Sequence, residues 1–296
     1  MRLGDIARGP VKVAMPDIGR HVDLARDLQT RLSEFGLLDP PADGEFGPVS
    51  RWALDAFLDR NNLKAKLSID RQVAERLLQA SADSLFPLEV KDDLAGRLVL
   101  AMQSKGHSII RHPDCINIVY AEAMDTDGNR NSNTPNRFND SRFTLRINKA
   151  GRPVIAGAWD ATTEPGRFWT ENPMSSKGAA RIAFGQYKAW SVGVHNARKK
   201  TAHEALVQTA PIKVHRDLNK DFNRTGDASD TGLFGVNQHW GYDNAKDDIG
   251  RASAGCLVGR TKAGHREFMA IVKSDPRFVV NNSFRFLSTI INGAEI

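Results

Sequence analysis

Along the first third of the chain, apolar residues recur at helical spacing. Val22, Leu24, Ala25, Leu28, Leu32 and Phe35 fall near the i, i+3, i+4, i+7 template, and the run stops at Gly36. A second run follows Pro48, with Trp52, Ala53, Ala56 and Phe57 on one face, and a third, from Ile69 to Leu78, carries Val73, Ala74, Leu77 and Leu78. Between the first two lies Asp39-Pro-Pro-Ala-Asp-Gly-Glu-Phe-Gly47, where Pro, Asp and Gly enforce turns. Residues 18–82 therefore predict three short helices around one small core. Residues 83–106, with Leu94, Leu98, Leu100 and Met102 among charged neighbours, predict a helical linker.

Beyond residue 107 the period shortens to two. Ile116-Asn-Ile-Val-Tyr120 and Phe143-Thr-Leu-Arg-Ile147 are rich in β-branched and aromatic residues, and the second alternates strictly. Asn148-Lys-Ala-Gly-Arg-Pro153 reads as the turn of a hairpin into Val154-Ile-Ala-Gly-Ala158, and the polar stretch 127–141 reads as a surface loop. The expected fold class is α+β, a small three-helix N-terminal domain followed by a mainly β domain over 107–296.

Composition narrows the partners. The 296 residues suit about two domains at roughly 150 each, and 41% hydrophobic with 26% charged content excludes collagen-like and disordered chains. No run approaches the ~18 apolar residues of a membrane span. Met1 to Pro10 has no apolar region ahead of a small-residue cleavage site, so Sec export of this form is not expected. The net charge of +6 favours anionic partners. Because Lys and Arg are spread along the chain instead of forming a block, nucleic acid is only one candidate among several, and bacterial cell wall, which carries carboxylates and phosphates, is another.

The chemistry concentrates late in the sequence, in Gly235-Val-Asn-Gln-His-Trp-Gly241 and Ile249-Gly-Arg-Ala-Ser-Ala-Gly-Cys256. A thiol needs a nearby base to act as a nucleophile at neutral pH, and a tight Gly turn can leave it exposed beside backbone N–H groups. His239, 17 positions before Cys256, is the natural partner. Trp240 and Tyr242 are expected at the cleft, Trp190 in the core. Cys115, at a strand start, reads as a core residue, with a bridge to Cys256 the alternative. Asp217-Leu-Asn-Lys-Asp221 has calcium-loop oxygen spacing but Phe222 where Gly is needed, so a polar turn is preferred. His195, His203 and His215 lack zinc-ligand spacing. Neither metal nor cofactor is expected.

Two resemblances follow from these residues. Leu28-Gln29, Gly36, Asp43-Gly-Glu-Phe-Gly47 and Ala53 to Phe57 resemble the three-helix peptidoglycan-binding domain, with Leu58 where that family usually has Gln. The resemblance implies wall binding around Asp43, Gly44, Phe46 and Gly47; read alone, the same residues are a turn whose glycines supply positive φ. The second resemblance is to the L,D-transpeptidase catalytic domain, carried by His239, by Gly250, Ser253, Gly255 and Cys256 in order, and by Thr163-Glu-Pro-Gly-Arg-Phe168 upstream. It implies a β-sandwich in which Cys256 attacks a peptidoglycan stem-peptide carbonyl, His239 carries the proton, backbone N–H groups near Gly255 and Cys256 hold the oxyanion, and Ser253 orients the imidazole. Ala254 replaces the family's His before Gly-Cys, and Val258 replaces the Arg that helps hold the stem, a role left to Arg251 or Arg260. The expected activity is a wall-degrading hydrolase, delivered by phage lysis or specialised secretion. The alternatives are a crosslinking transpeptidase and a non-catalytic wall-binding protein.

Overall fold

Helices form where the apolar spacing called for them. The computed structural model describes residues 1–296 and begins with α1 (Leu3–Arg8), β1 (Val13–Ala14), α2 (Val22–Glu34), α3 (Pro48–Arg60), β2 (Ser68–Ile69), α4 (Arg71–Gln79) and α5 (Ala82–Leu85). Pro48 opens α3, where its missing N–H costs nothing, and Asp70 caps α4 by accepting from Val73 N–H at 3.0 Å. Leu24, Leu28, Leu32, Phe35, Leu54, Phe57, Val73 and Leu77 meet in one core, with Phe35 and Phe57 stacked at 5.5 Å. That core also takes Leu3 and Ile6 from α1, so the unit reaches back well before residue 18. The segment is too short for a periodic signal.

The remainder is mixed α/β around one large, mainly β sheet. Eight strands close into a barrel, where a two-sheet sandwich was expected. They are β3 (Asn117–Glu122), β4 (Asp140–Ile147), β5 (Pro153–Thr162), β7 (Gly185–His195), β8 (His203–Gln208), β11 (Gln238–Trp240), β12 (Leu257–Gly259) and β13 (Arg285–Asn292). Their order is β11-β12-β5-β4-β3-β13-β7-β8, antiparallel except for the parallel pairs β11–β12 and β3–β13. Closure removes both sheet edges. Three more strands, β6 (Ala179–Ile182), β9 (Ile212–Asp217) and β10 (Ala228–Gly232), form a separate antiparallel sheet in the order β10-β9-β6.

Alternation along β3 explains why every residue of it is buried. Ile118 and Tyr120 face the core shared with Trp190, Leu206 and Leu257, while Val119 and Ala121 face the opposite way. What covers them is α6 (Leu94–Ser104), whose Leu98, Val99 and Met102 pack on Val119, Phe143, Leu145 and Ile147. The stretch expected to be a linker is thus split: α5 belongs to the helical unit and α6 is a layer of the barrel. Three short helices complete the chain: α7 (Arg167–Glu171), α8 (Lys262–Lys273) and α9 (Pro276–Val280). No helix is long and apolar enough to cross a membrane.

A buried charge triad joins the two units. Arg277 reaches both carboxylate oxygens of Asp39 at 3.0 Å and both of Asp275, at 2.9 and 2.7 Å, and also donates to Ile116 O. Asp39 belongs to the helical unit, Asp275 and Arg277 to the barrel, and all three are buried. Removing one partner of such a group leaves the others charged and unpaired, which costs about 3–5 kcal/mol. Arg277→Ala is therefore expected to lose that much stability in urea unfolding monitored by tryptophan fluorescence.

Candidate active site

Three segments distant in sequence meet at the thiol. The 163–168 turn locks onto the nucleophile loop through Gly166, whose N–H donates to Ser253 O at 2.9 Å and whose missing side chain lets Gly250 O approach, since a Cβ would lie 2.2 Å from it. Gly255 has φ +121°, and a Cβ there would lie 2.3 Å from Ala180 O of β6. Only glycine fits this position, so the nucleophile turn nests against the three-stranded sheet. The segment 168–239 supplies that sheet as one wall of the cleft.

The cleft has a volume of about 510 Å³ and is lined by Cys256, His239, His195, Tyr242 and Arg251 among others. Cys256 is half-buried, its S–H directed to Gly235 O at 3.6 Å, and its sulfur accepts from Asn237 N–H at 3.4 Å. Cys115 is buried elsewhere and both cysteines are free thiols. The imidazole of His239 is fixed by Nδ1–H donating to Trp240 O at 2.8 Å, which leaves Nε2 with its lone pair as the base. No hydrogen bond joins Cys256 to His239 in this resting geometry, a looseness common before substrate binds.

A second histidine lies face to face with the first. The rings of His195 and His239 stack at 3.9 Å and 12°. Asn237 Oδ1 accepts from Gln208 N–H at 2.9 Å, which turns its amide Nδ2 toward His195 Nδ1 at 2.9 Å. His195 therefore carries its proton on Nε2. Behind this pair, His203 stacks on Trp240 at 3.9 Å, and His265 accepts from buried Arg142 at 3.3 Å while donating to Glu204 O. No three His or Cys ligand atoms converge as a metal site needs.

Electrostatics keep the pair neutral. Burial pushes the Cys256 thiol up to about 11, only partly offset by the Asn237 N–H bond. Burial, then the neighbouring His195, holds His239 well below the ordinary histidine range, and burial brings His195 down to about 4. At neutral pH the resting site is thus a thiol beside an imidazole, not a thiolate–imidazolium pair.

The expected site residues divide. Cys256, His239, Tyr242 and Arg251 share the cleft. Ser253 does not orient the imidazole: its hydroxyl donates to Cys256 O at 2.9 Å and accepts from Gly255 N–H at 3.1 Å, so it holds the turn together. That bond also occupies the Gly255 N–H, leaving the Cys256 N–H as the donor free for an oxyanion. Arg260 is tied outside the cleft to Asp160 at 3.1 Å and faces Asn244 O. Trp240 points to the opposite side of β11 from His239, as strand alternation requires. Val258 is buried with Phe138, Ile249 and Ala252, a place unsuited to the arginine it replaces. His195, Asn237 and Arg216 carried no local motif, and only their distant pairing in the fold reveals them.

In the helical unit, Asp43, Gly44, Phe46 and Gly47 build a self-satisfied turn. Buried Gln29 donates to Asp43 Oδ1 at 2.7 Å and to Ser50, and accepts from Gly44 N–H at 2.7 Å, while Gly44 has φ +84° and Phe46 packs on the core. The turn borders a groove of about 360 Å³ shared with Lys188, Ser283 and Arg285 of the barrel. In the 217–221 turn, Asp217 accepts from the backbone N–H of Asp221 and Phe222, both at 3.1 Å.

Comparison with family models, curated proteins and solved structures finds no match to this chain. The site's own geometry yields a pH test. With the thiol at about 11, alkylation of Cys256 by iodoacetamide should rise about tenfold per pH unit from 7 to 10, with no reactive plateau in acid. Mass-spectrometric labelling rates for the protein and its Cys256→Ala variant measure this.

Proposed function

We propose that the chain is a cysteine acyl-transfer enzyme acting on peptidoglycan stem peptides, and that its acceptor is water. The observation that supports this most is that Cys256 and His239 line one cleft while the 163–168 turn is hydrogen-bonded to the loop that carries Cys256, so the three carriers of the L,D-transpeptidase resemblance lie together. In the reaction, His239 Nε2 takes the Cys256 proton as sulfur bonds to the carbonyl carbon. The oxyanion gathers at the Cys256 N–H, a donor worth about 3 kcal/mol in comparable acyl transfers. Collapse breaks the C–N bond, and His239 returns its proton to the departing amine. Water, deprotonated by the same imidazole, then cleaves the thioester to a carboxylate and restores the thiol.

His195 serves this cycle by position. Its neutral ring lies flat against His239, where it fixes the plane of the base and offers a π face to the imidazolium that forms transiently. Under this reading the helical unit holds the polymer and the enzyme works at the bacterial wall.

Muropeptides from purified sacculi, separated by mass after incubation, test the assignment. Shortened or uncrosslinked stems should accumulate with the native protein and drop at least about 10³-fold with Cys256→Ala or His239→Ala. New 3-3 crosslinks would make it a transpeptidase; sacculus binding without any change in muropeptides would make it a wall-binding protein. His195→Phe, which keeps a stacked ring, should retain more activity than His195→Ala.

A further inference from the structure

We infer that the cleft reads free carboxylates on its acyl donor, through two arginines set over phenylalanines, one on the loop that carries Cys256 and one on the flanking sheet. This rests on the acyl-transfer reading above and names the chemistry of the donor: a peptide bearing carboxylates near the scissile amide, in their ionised rather than amidated form.

The first arginine stands on the nucleophile loop. Arg251 is exposed, has no carboxylate partner, and its guanidinium carbon lies 3.7 Å from the Phe168 ring centroid. The second comes from the flanking sheet. Arg216 is adjacent to Ala180 in the β6–β9 register, and Ala180 is the residue on which Gly255 rests. Its guanidinium lies 4.5 Å from the Phe234 centroid and is steadied by Asp230 at 3.2 Å. A guanidinium set over an aromatic ring keeps its edge N–H groups for a carboxylate: all of them in Arg251, and in Arg216 the Nη N–H groups left over from the Asp230 bond, since its Nε is buried.

The rest of the lining agrees in sign. Lys199 adds a third cation, and no Asp or Glu lines the cleft. An anionic donor therefore meets Arg251 and Lys199 with no acid in the lining, and Arg216 with its charge shared with Asp230. Trp169, Met174, Phe234 and Val236 supply apolar surface between the cations, suited to the aliphatic part of such a peptide. Amidation would leave the size of the donor almost unchanged while removing its charge and half of each bidentate contact.

The full-length Cys256→Ala protein, which cannot turn over, permits a binding test by calorimetry. The probes are a synthetic stem tetrapeptide with all carboxylates free and the same peptide amidated at one carboxylate at a time. Amidation at the position each arginine reads should weaken Kd about tenfold. That discrimination should vanish for one position when Arg251→Ala is added, and for another with Arg216→Lys, which spares the Asp230 tie. Circular dichroism checks that each variant is folded. Equal Kd values for free and amidated peptides overturn the inference, even if the native enzyme cleaves both. Selective binding without cleavage by the native protein keeps the inference and overturns the enzyme reading. No binding of any stem overturns both.

Discussion

The cleft depends on a cluster of charges buried where the barrel meets the three-stranded sheet. Glu122 ends β3, Asp140 begins β4 and Glu164 follows β5; their carboxylate oxygens lie within 4.8 Å of one another. Arg224 grips both oxygens of Glu122 at 2.5 Å, and Arg181 of β6 bonds to Glu164. The Thr163 hydroxyl sits between Glu122 and Asp140, at 2.7 and 2.9 Å. Three acids against two guanidinium groups leave one negative charge in excess. Burial, reinforced by the charge of Glu122, pushes both Asp140 and Glu164 upward, so a proton taken up by the cluster removes the excess. Lifting the sheet would strand these groups without partners. The cleft wall that carries Ala180 and Arg216 is for that reason fixed to the barrel.

A fixed wall suits a site that is electrically quiet at rest. A thiol held near 11 and an imidazole held below its usual range do not react with each other, and they resist adventitious alkylation and oxidation. In the proposed acyl transfer, reactivity would be conferred by the substrate, whose polarised carbonyl would make the proton transfer from sulfur to His239 favourable as the new bond forms. The backbone contacts of Gly235 and Asn237 meanwhile keep the sulfur in place. Stacking with His195 has a related effect, because a neutral ring at 3.9 Å fixes the plane of His239 without adding charge to the resting site.

Local signals were enough to read α2, α3, α4, the helical character of α6, the first hairpin and the Cys256 turn, since each rests on spacing or on turn chemistry within a few residues. Barrel closure was not legible locally: the parallel pairings β3–β13 and β11–β12 join strands far apart or only three residues long. Nor was the burial of Arg142, a charged strand residue with no local sign of an inward position. In the fold its guanidinium lies 4.0 Å from the Phe268 ring centroid and 5.2 Å from that of Trp159. Ser253 was misread because a hydroxyl beside a nucleophile suggests chemistry, whereas here it closes a turn. His195 carried no motif because its partner is 44 residues away and its meaning lies in a stack, not a spacing.

The Asp39–Arg277–Asp275 weld gives the molecule a fixed gauge. A binding module on a flexible tether lets its enzyme roam over every bond within reach. Here the helical unit and the thiol move as one piece, like the two jaws of a caliper locked at a single setting. Under the proposed function, a polymer held in the groove between Asp43 and Arg285 would be offered to Cys256 at one distance and one angle. The spacing of bonds along that polymer, not the length of a linker, would then decide which of them comes under attack.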